Sequence, residues 1–82
     1  NNIYFHSYSN VIYKNTKKIE LTTLEKELLI LFFKNKNKYL NKNELLELLS
    51  ITIGTLKVKI THFRKLGFNI ENRREIGYIL KD

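Results

Sequence analysis

TLKVKITHFRKLGFNIENRREIGYIL, residues 55–80, is the stretch on which the reading of the fold turns. Placed on a helix at 100° per residue, Leu56, Ile60, Phe63 and Gly67 fall on one narrow stripe, the spacing of a helix packed on a core. The opposite face carries Val58, Thr61, His62 and Lys65, flanked by Lys57, Lys59 and Arg64, and it holds no acid. A helix apolar behind and basic or hydrogen-bonding in front suits a DNA major groove, which admits one helix and offers base edges between two rows of phosphate. The plainer alternative is a lysine face kept in solvent.

The residues after the helix favour the groove. Ile70 and Tyr78 to Leu80 read as two short β runs, and the turn between them holds Arg73 and Arg74 with Gly77 near its end. A basic helix followed at once by an arginine-tipped hairpin is the order of a winged helix-turn-helix. Ahead of it, residues 3–21 alternate in β fashion, with Ser9-Asn10 and Asn15-Thr16-Lys17 as turns, so two or three short antiparallel strands are expected. Thr22 and Glu25 have the spacing of a capping box, starting a helix whose core face is Leu24, Leu28, Leu31 and Phe32. That helix should stop between Asn35 and Lys38. Lys34, Lys36 and Lys38 there offset the negative end of its dipole. Asn41 and Glu44 repeat the capping pattern before a second helix with Leu45, Leu46 and Leu49 inward. Only Ser50 to Gly54 separates it from the basic helix, and Ile51 or Ile53 is expected to fill the core. The expected class is α+β: a small N-terminal antiparallel sheet, three helices and a C-terminal hairpin wing.

Composition bounds the function. Eighty-two residues with 43% hydrophobic content allow one domain spanning 1–82 with a modest core. Fifteen Lys and Arg against eight Asp and Glu give a net charge of +7, which favours a polyanionic partner. A membrane surface is the competing polyanion, but the apolar stripe of the basic helix is used for the core, leaving no amphipathic anchor. No apolar run approaches the ~18 residues of a membrane helix. With no cysteine, one aspartate, two distant histidines and no glycine-rich phosphate loop, neither catalysis nor a metal site nor a cofactor has a footing. His6 reads as a strand-surface residue, and Glu25 as a cap. The absence of cysteine is compatible with a reducing cytoplasm.

Four segments together resemble the effector domain of the OmpR/PhoB family of bacterial response regulators. That family shows a Leu-Thr-x-x-Glu start to its first helix, an Arg/Ser-Glu-x-Leu-Leu second helix, a Val-Asp-Val-His-Ile-Arg-Arg-Leu-Arg recognition helix and a Val-Arg-Gly-x-Gly-Tyr wing. Here the matching segments are LTTLE at 21–25, NKNELLELL at 41–49, LKVKITHFR at 56–64 and RREIGY at 73–78, in the same order and covering nearly the whole chain.

The resemblance implies sequence-specific binding of double-stranded DNA in transcriptional control, as the output domain of a two-component phosphorelay in the cytoplasm. A phosphate-accepting receiver domain is then expected before this chain, which begins at Asn1 and contains no methionine. Val58, Thr61 and His62 are expected at base edges, with Lys57, Lys59, Arg64, Lys65 and Tyr78 at phosphates and Asn72, Arg73 and Arg74 in the wing, Arg74 entering the minor groove. Thr61 and His62 match the family's Arg-Arg pair. Losing two guanidinium forks removes the strongest guanine readers, so an A·T-richer site is expected. Glu75 stands where family wings have glycine, costing the turn its freest backbone residue and adding an anion. Family members bind direct repeats head to tail, so the domain alone should be monomeric and the full-length protein dimeric on DNA. Their longer loop between the second and third helices touches RNA polymerase. The rival reading is a winged helix that docks protein or RNA without reading DNA sequence.

Overall fold

The computed structural model describes residues 3–5, as backbone, and 9–81; His6 lies outside the described residues. Three strands come first, β1 (Ile3–Phe5), β2 (Val11–Lys14) and β3 (Lys17–Glu20), forming an antiparallel sheet in the order β1-β2-β3. Asn15 and Thr16, at φ +52 and +71, form the two-residue turn between β2 and β3, and Lys17 already belongs to the strand opposite Lys14. Positive φ at both central residues matches the twist of a tight hairpin. One face of this sheet buries Ile12 and Ile19.

Helix α1 (Thr23–Lys34) starts where the capping pattern puts it: Thr22 Oγ1 accepts the Glu25 N–H at 3.1 Å and the Glu25 carboxylate accepts the Thr22 N–H at 2.8 Å. Its inward face is Leu28, Leu29 and Phe32. Leu24 and Leu31, expected inside, are only half-buried, because the helix turns its Leu28-Leu29-Phe32 side to the core. The chain then makes a two-residue strand that the sequence pattern missed, β4 (Tyr39–Leu40).

Helix α2 (Lys42–Leu49) forms the first half of its expected capping box, with Asn41 Oδ1 accepting the Glu44 N–H at 3.1 Å. Of its leucines only Leu45 is fully buried; Leu46 and Leu49 pack at the edge of the core. The helix ends on Ser50 in the left-handed region, and the Ile51 N–H reaches back to the Leu46 carbonyl, satisfying carbonyls that a helix end leaves open. Thr52 then caps α3 (Ile53–Lys65) by accepting the Thr55 N–H at 3.2 Å. The connection is therefore Ser50–Thr52, shorter than the Ser50–Gly54 expected, because a threonine cap starts the third helix two residues early. Ile51 packs against the core, whereas Ile53 is 37% exposed.

Leu56, Ile60 and Phe63 of α3 are buried as their stripe requires. Gly67 is not part of that stripe: the helix stops at Lys65, and Gly67 takes φ +98 while the Phe68 N–H bonds the Phe63 carbonyl. Phe68 then meets Phe33 and Phe63 edge-on at centroid distances of 6.0 and 6.2 Å. The chain closes with β5 (Ile70–Arg73) and β6 (Gly77–Leu80), which join β4 in a second antiparallel sheet of order β4-β6-β5. Gly77 is required there. A Cβ would lie 2.0 Å from the Leu40 carbonyl oxygen, so any larger residue would push β4 off β6.

Candidate nucleic-acid interface

Burying Leu56, Ile60 and Phe63 fixes the rotation of α3, and the residues on its far side follow. Lys57, Val58, Thr61, His62 and Lys65 line one open depression on the surface. Val58 is 64% exposed, so its two methyl groups are open to solvent in this depression. The Thr61 hydroxyl donates to the Lys57 carbonyl at 3.0 Å, which uses its proton within the helix and leaves its oxygen as an acceptor. These five sequence-predicted residues share one surface.

A second cleft joins this face to the hairpin, lined by Lys57, Ile60, Thr61, Arg64, Asn72 and Tyr78. Arg64 is exposed, yet its Nε donates to the Ile70 carbonyl at 2.8 Å, so its guanidinium is held between α3 and β5. Tyr78 is 3% exposed and belongs to the core, so only a group entering the cleft could meet it. In the hairpin, Asn72, Arg73 and Arg74 are exposed, and Arg74 forms no ion pair with Glu75 among the described residues. Glu75 sits at φ +69. That is the left-handed conformation glycine adopts without penalty and a glutamate does not.

Lys59 departs from its expected role. Its ammonium lies 3.2 Å from Glu25 Oε2, with the two side chains 21% and 10% exposed, and it ties the start of α1 to the middle of α3. It is not arranged as a free phosphate ligand. His62, one turn further on, places Nε2 3.9 Å from the same carboxylate oxygen. Burial is the largest single influence on the Glu25 carboxyl and pushes its pKa up. The Thr22 N–H, the Lys59 hydrogen bond and charge, and the His62 charge together outweigh it and hold the carboxyl below its ordinary value. Sequence reasoning assigned Glu25 to its local cap; the link to α3 had no signal within one or two helical turns.

At the other end of α3, Lys14 Nζ donates to the Leu66 carbonyl at 3.0 Å and lies 5.2 Å from the centre of the Phe68 ring. This cation satisfies an orphan carbonyl at the negative end of the helix. Among the described residues no cluster of His, Cys, Asp or Glu could hold a metal ion, and no helix is long and apolar enough to cross a membrane.

A solved structure superimposes on nearly the whole chain: the C-terminal domain of the nisin resistance regulator NsrR, a lantibiotic response regulator. It has a TM-score of 0.78 and 27% identity, covering 96% of this chain and 92% of that one. The fold is that of an OmpR/PhoB-type effector domain. No protein-family model matches the sequence, and no curated protein matches it. In that fold α2 and α3 take the places of the two helices of the helix-turn-helix, and β5–β6 that of the wing.

Proposed function

We propose that this domain binds double-stranded DNA sequence-specifically as the output domain of a two-component transcriptional regulator in the cytoplasm. The observation that carries the reading is the exposed face of α3, where Val58, Thr61 and His62 lie between Lys57 and Lys65 and continue into a cleft walled by Arg64 and Asn72. Val58 offers an apolar contact to a thymine methyl, and Thr61 and His62 offer single hydrogen bonds to base edges. Lys57, Lys65 and the pinned Arg64 neutralise flanking phosphates, with Tyr78 at the floor of the cleft. Lys59 is left out of that set because Glu25 holds it. Arg74, preceded by Asn72 and Arg73, enters an A·T-rich minor groove, where the potential is most negative.

The rest of the proposal follows the type. A receiver domain before this chain accepts a phosphoryl group, the full-length protein dimerises on A·T-rich direct repeats, and the domain alone is monomeric. Leu48 of α2 and Ile53 at the start of α3, 67% and 37% exposed, are apolar side chains open to a protein such as RNA polymerase. Selection of bound duplexes from a random pool tests the reading. A single consensus should emerge, and Thr61→Arg should move one position of it toward guanine, because a guanidinium fork pairs with O6 and N7. A pool that never converges contradicts the proposal and favours a docking module.

A further inference from the structure

The carboxylate of Glu25 faces two groups on α3, Lys59 Nζ at 3.2 Å and His62 Nε2 at 3.9 Å. Its other oxygen is occupied by the Thr22 N–H at 2.8 Å, which fixes the carboxylate in place. His62 meanwhile has a side chain 44% exposed, in the depression where bases are proposed to sit. The imidazole thus has one nitrogen toward an anion and the other free to turn toward solvent. A neutral imidazole carries one N–H and one bare nitrogen, and the group facing either nitrogen decides which is which.

We infer that Glu25 is a positioning residue for base readout: by facing Nε2 it keeps the His62 proton there, leaves Nδ1 bare, and so makes His62 a reader of hydrogen-bond donors. In the major groove those donors are adenine N6 and cytosine N4, whereas guanine and thymine present only acceptors at the corresponding edge. This inference rests on the DNA-binding reading above. It gives the cap of α1 a part in specificity although it does not face the depression. It also explains why an acid lies behind a helix whose outer face has none. Glu25 from α1 stands 3.9 Å from the ring, and Lys57 and Lys65 of α3 line the same depression as His62.

The test is the tautomer of His62, read by nitrogen-15 NMR of the neutral ring, together with base preference at the contacted position. In the wild type the Nε2–H form should dominate. In Glu25→Gln the amide oxygen takes over the Thr22 N–H, and the amide NH2 and the Lys59 ammonium then face His62 as donors. The proton should move to Nδ1, and preference for adenine or cytosine should fall by roughly three- to tenfold, the discrimination of one hydrogen bond. Lys59→Ala removes the tie between α1 and α3 but keeps the carboxylate, so it should retain both the tautomer and the preference. Equal tautomer ratios in wild type and Glu25→Gln, in a domain that does discriminate sequences, overturn the role of Glu25 alone. A wild type indifferent to sequence overturns the DNA reading beneath it.

Discussion

Replacing Lys57 or Lys59 by alanine removes the same charge from the same helix, and the structure predicts opposite consequences. Lys57 is exposed and lines both the depression and the cleft. If it neutralises one phosphate, Lys57→Ala lowers the slope of log K against log salt by about 0.9, so between 50 and 200 mM salt the variant loses about 3.5-fold less affinity than wild type. Its folding stability should move by less than about 0.5 kcal/mol. Lys59 lies 3.2 Å from a Glu25 side chain only 10% exposed, a geometry between a surface pair and a buried one. Losing it leaves the carboxylate with less compensation, at about 1–2 kcal/mol. In a domain of this size that lowers Tm by roughly 5–15 °C. The salt slope should stay at the wild-type value. Binding titrations at four salt concentrations and thermal melts on the three proteins suffice. Should Lys59→Ala flatten the slope as much as Lys57→Ala while its Tm is unchanged, the ammonium leaves Glu25 for a phosphate, and its removal from the interface is wrong.

Three further outcomes follow from single positions. Glu75→Gly relieves a glutamate at φ +69, a conformation costing about 1–2 kcal/mol, partly offset by glycine's larger unfolded-state entropy; a gain of about 0.5–1 kcal/mol should appear in denaturant titrations, with tighter DNA binding from loss of the anion. The Glu25 carboxyl is held below its ordinary value, so its stabilisation is fully present above the unfolded pKa of about 4.3 and is lost as pH falls through the folded value; Glu25→Gln should flatten that acid limb, and an unchanged limb would mean the carboxylate contributes nothing. In the wing, replacing A·T by G·C at the outer edge of the site should weaken wild-type binding and inosine-cytosine should restore it, since inosine lacks the minor-groove amino group; Arg74→Ala should bind all three pairs alike, and a variant keeping the wild-type preference would take Arg74 out of the groove.

What the sequence made legible was set by neighbours within a turn or two. The Thr22-Glu25 box, the Leu56-Ile60-Phe63 stripe and the arginine-tipped hairpin each obey a local rule, and all three stand in the structure. β4 escaped because two residues carry no periodicity and their partners, Tyr78 and Ile79, lie near the other end of the chain. The early start of α3 escaped because Thr52 looked like loop until its cap on Thr55 was in view. The faces of Val58, Thr61, His62 and Lys65 followed from the stripe, since burying one side of a helix exposes the other. The condition of Lys59 did not follow, because a charge spaced as a groove ligand is committed to a carboxylate 34 positions earlier in the chain. Helical spacing places a side chain on a face; only the packed neighbour decides whether its charge is free.

The central claim is that this face reads sequence, and the ratio of affinities for the selected duplex and a random duplex of equal length at one fixed salt concentration tests it most directly. The expected ratio is ~10³ or more. A ratio near 1, with both affinities falling equally as salt rises, would contradict it and leave only a basic surface that attracts any polyanion.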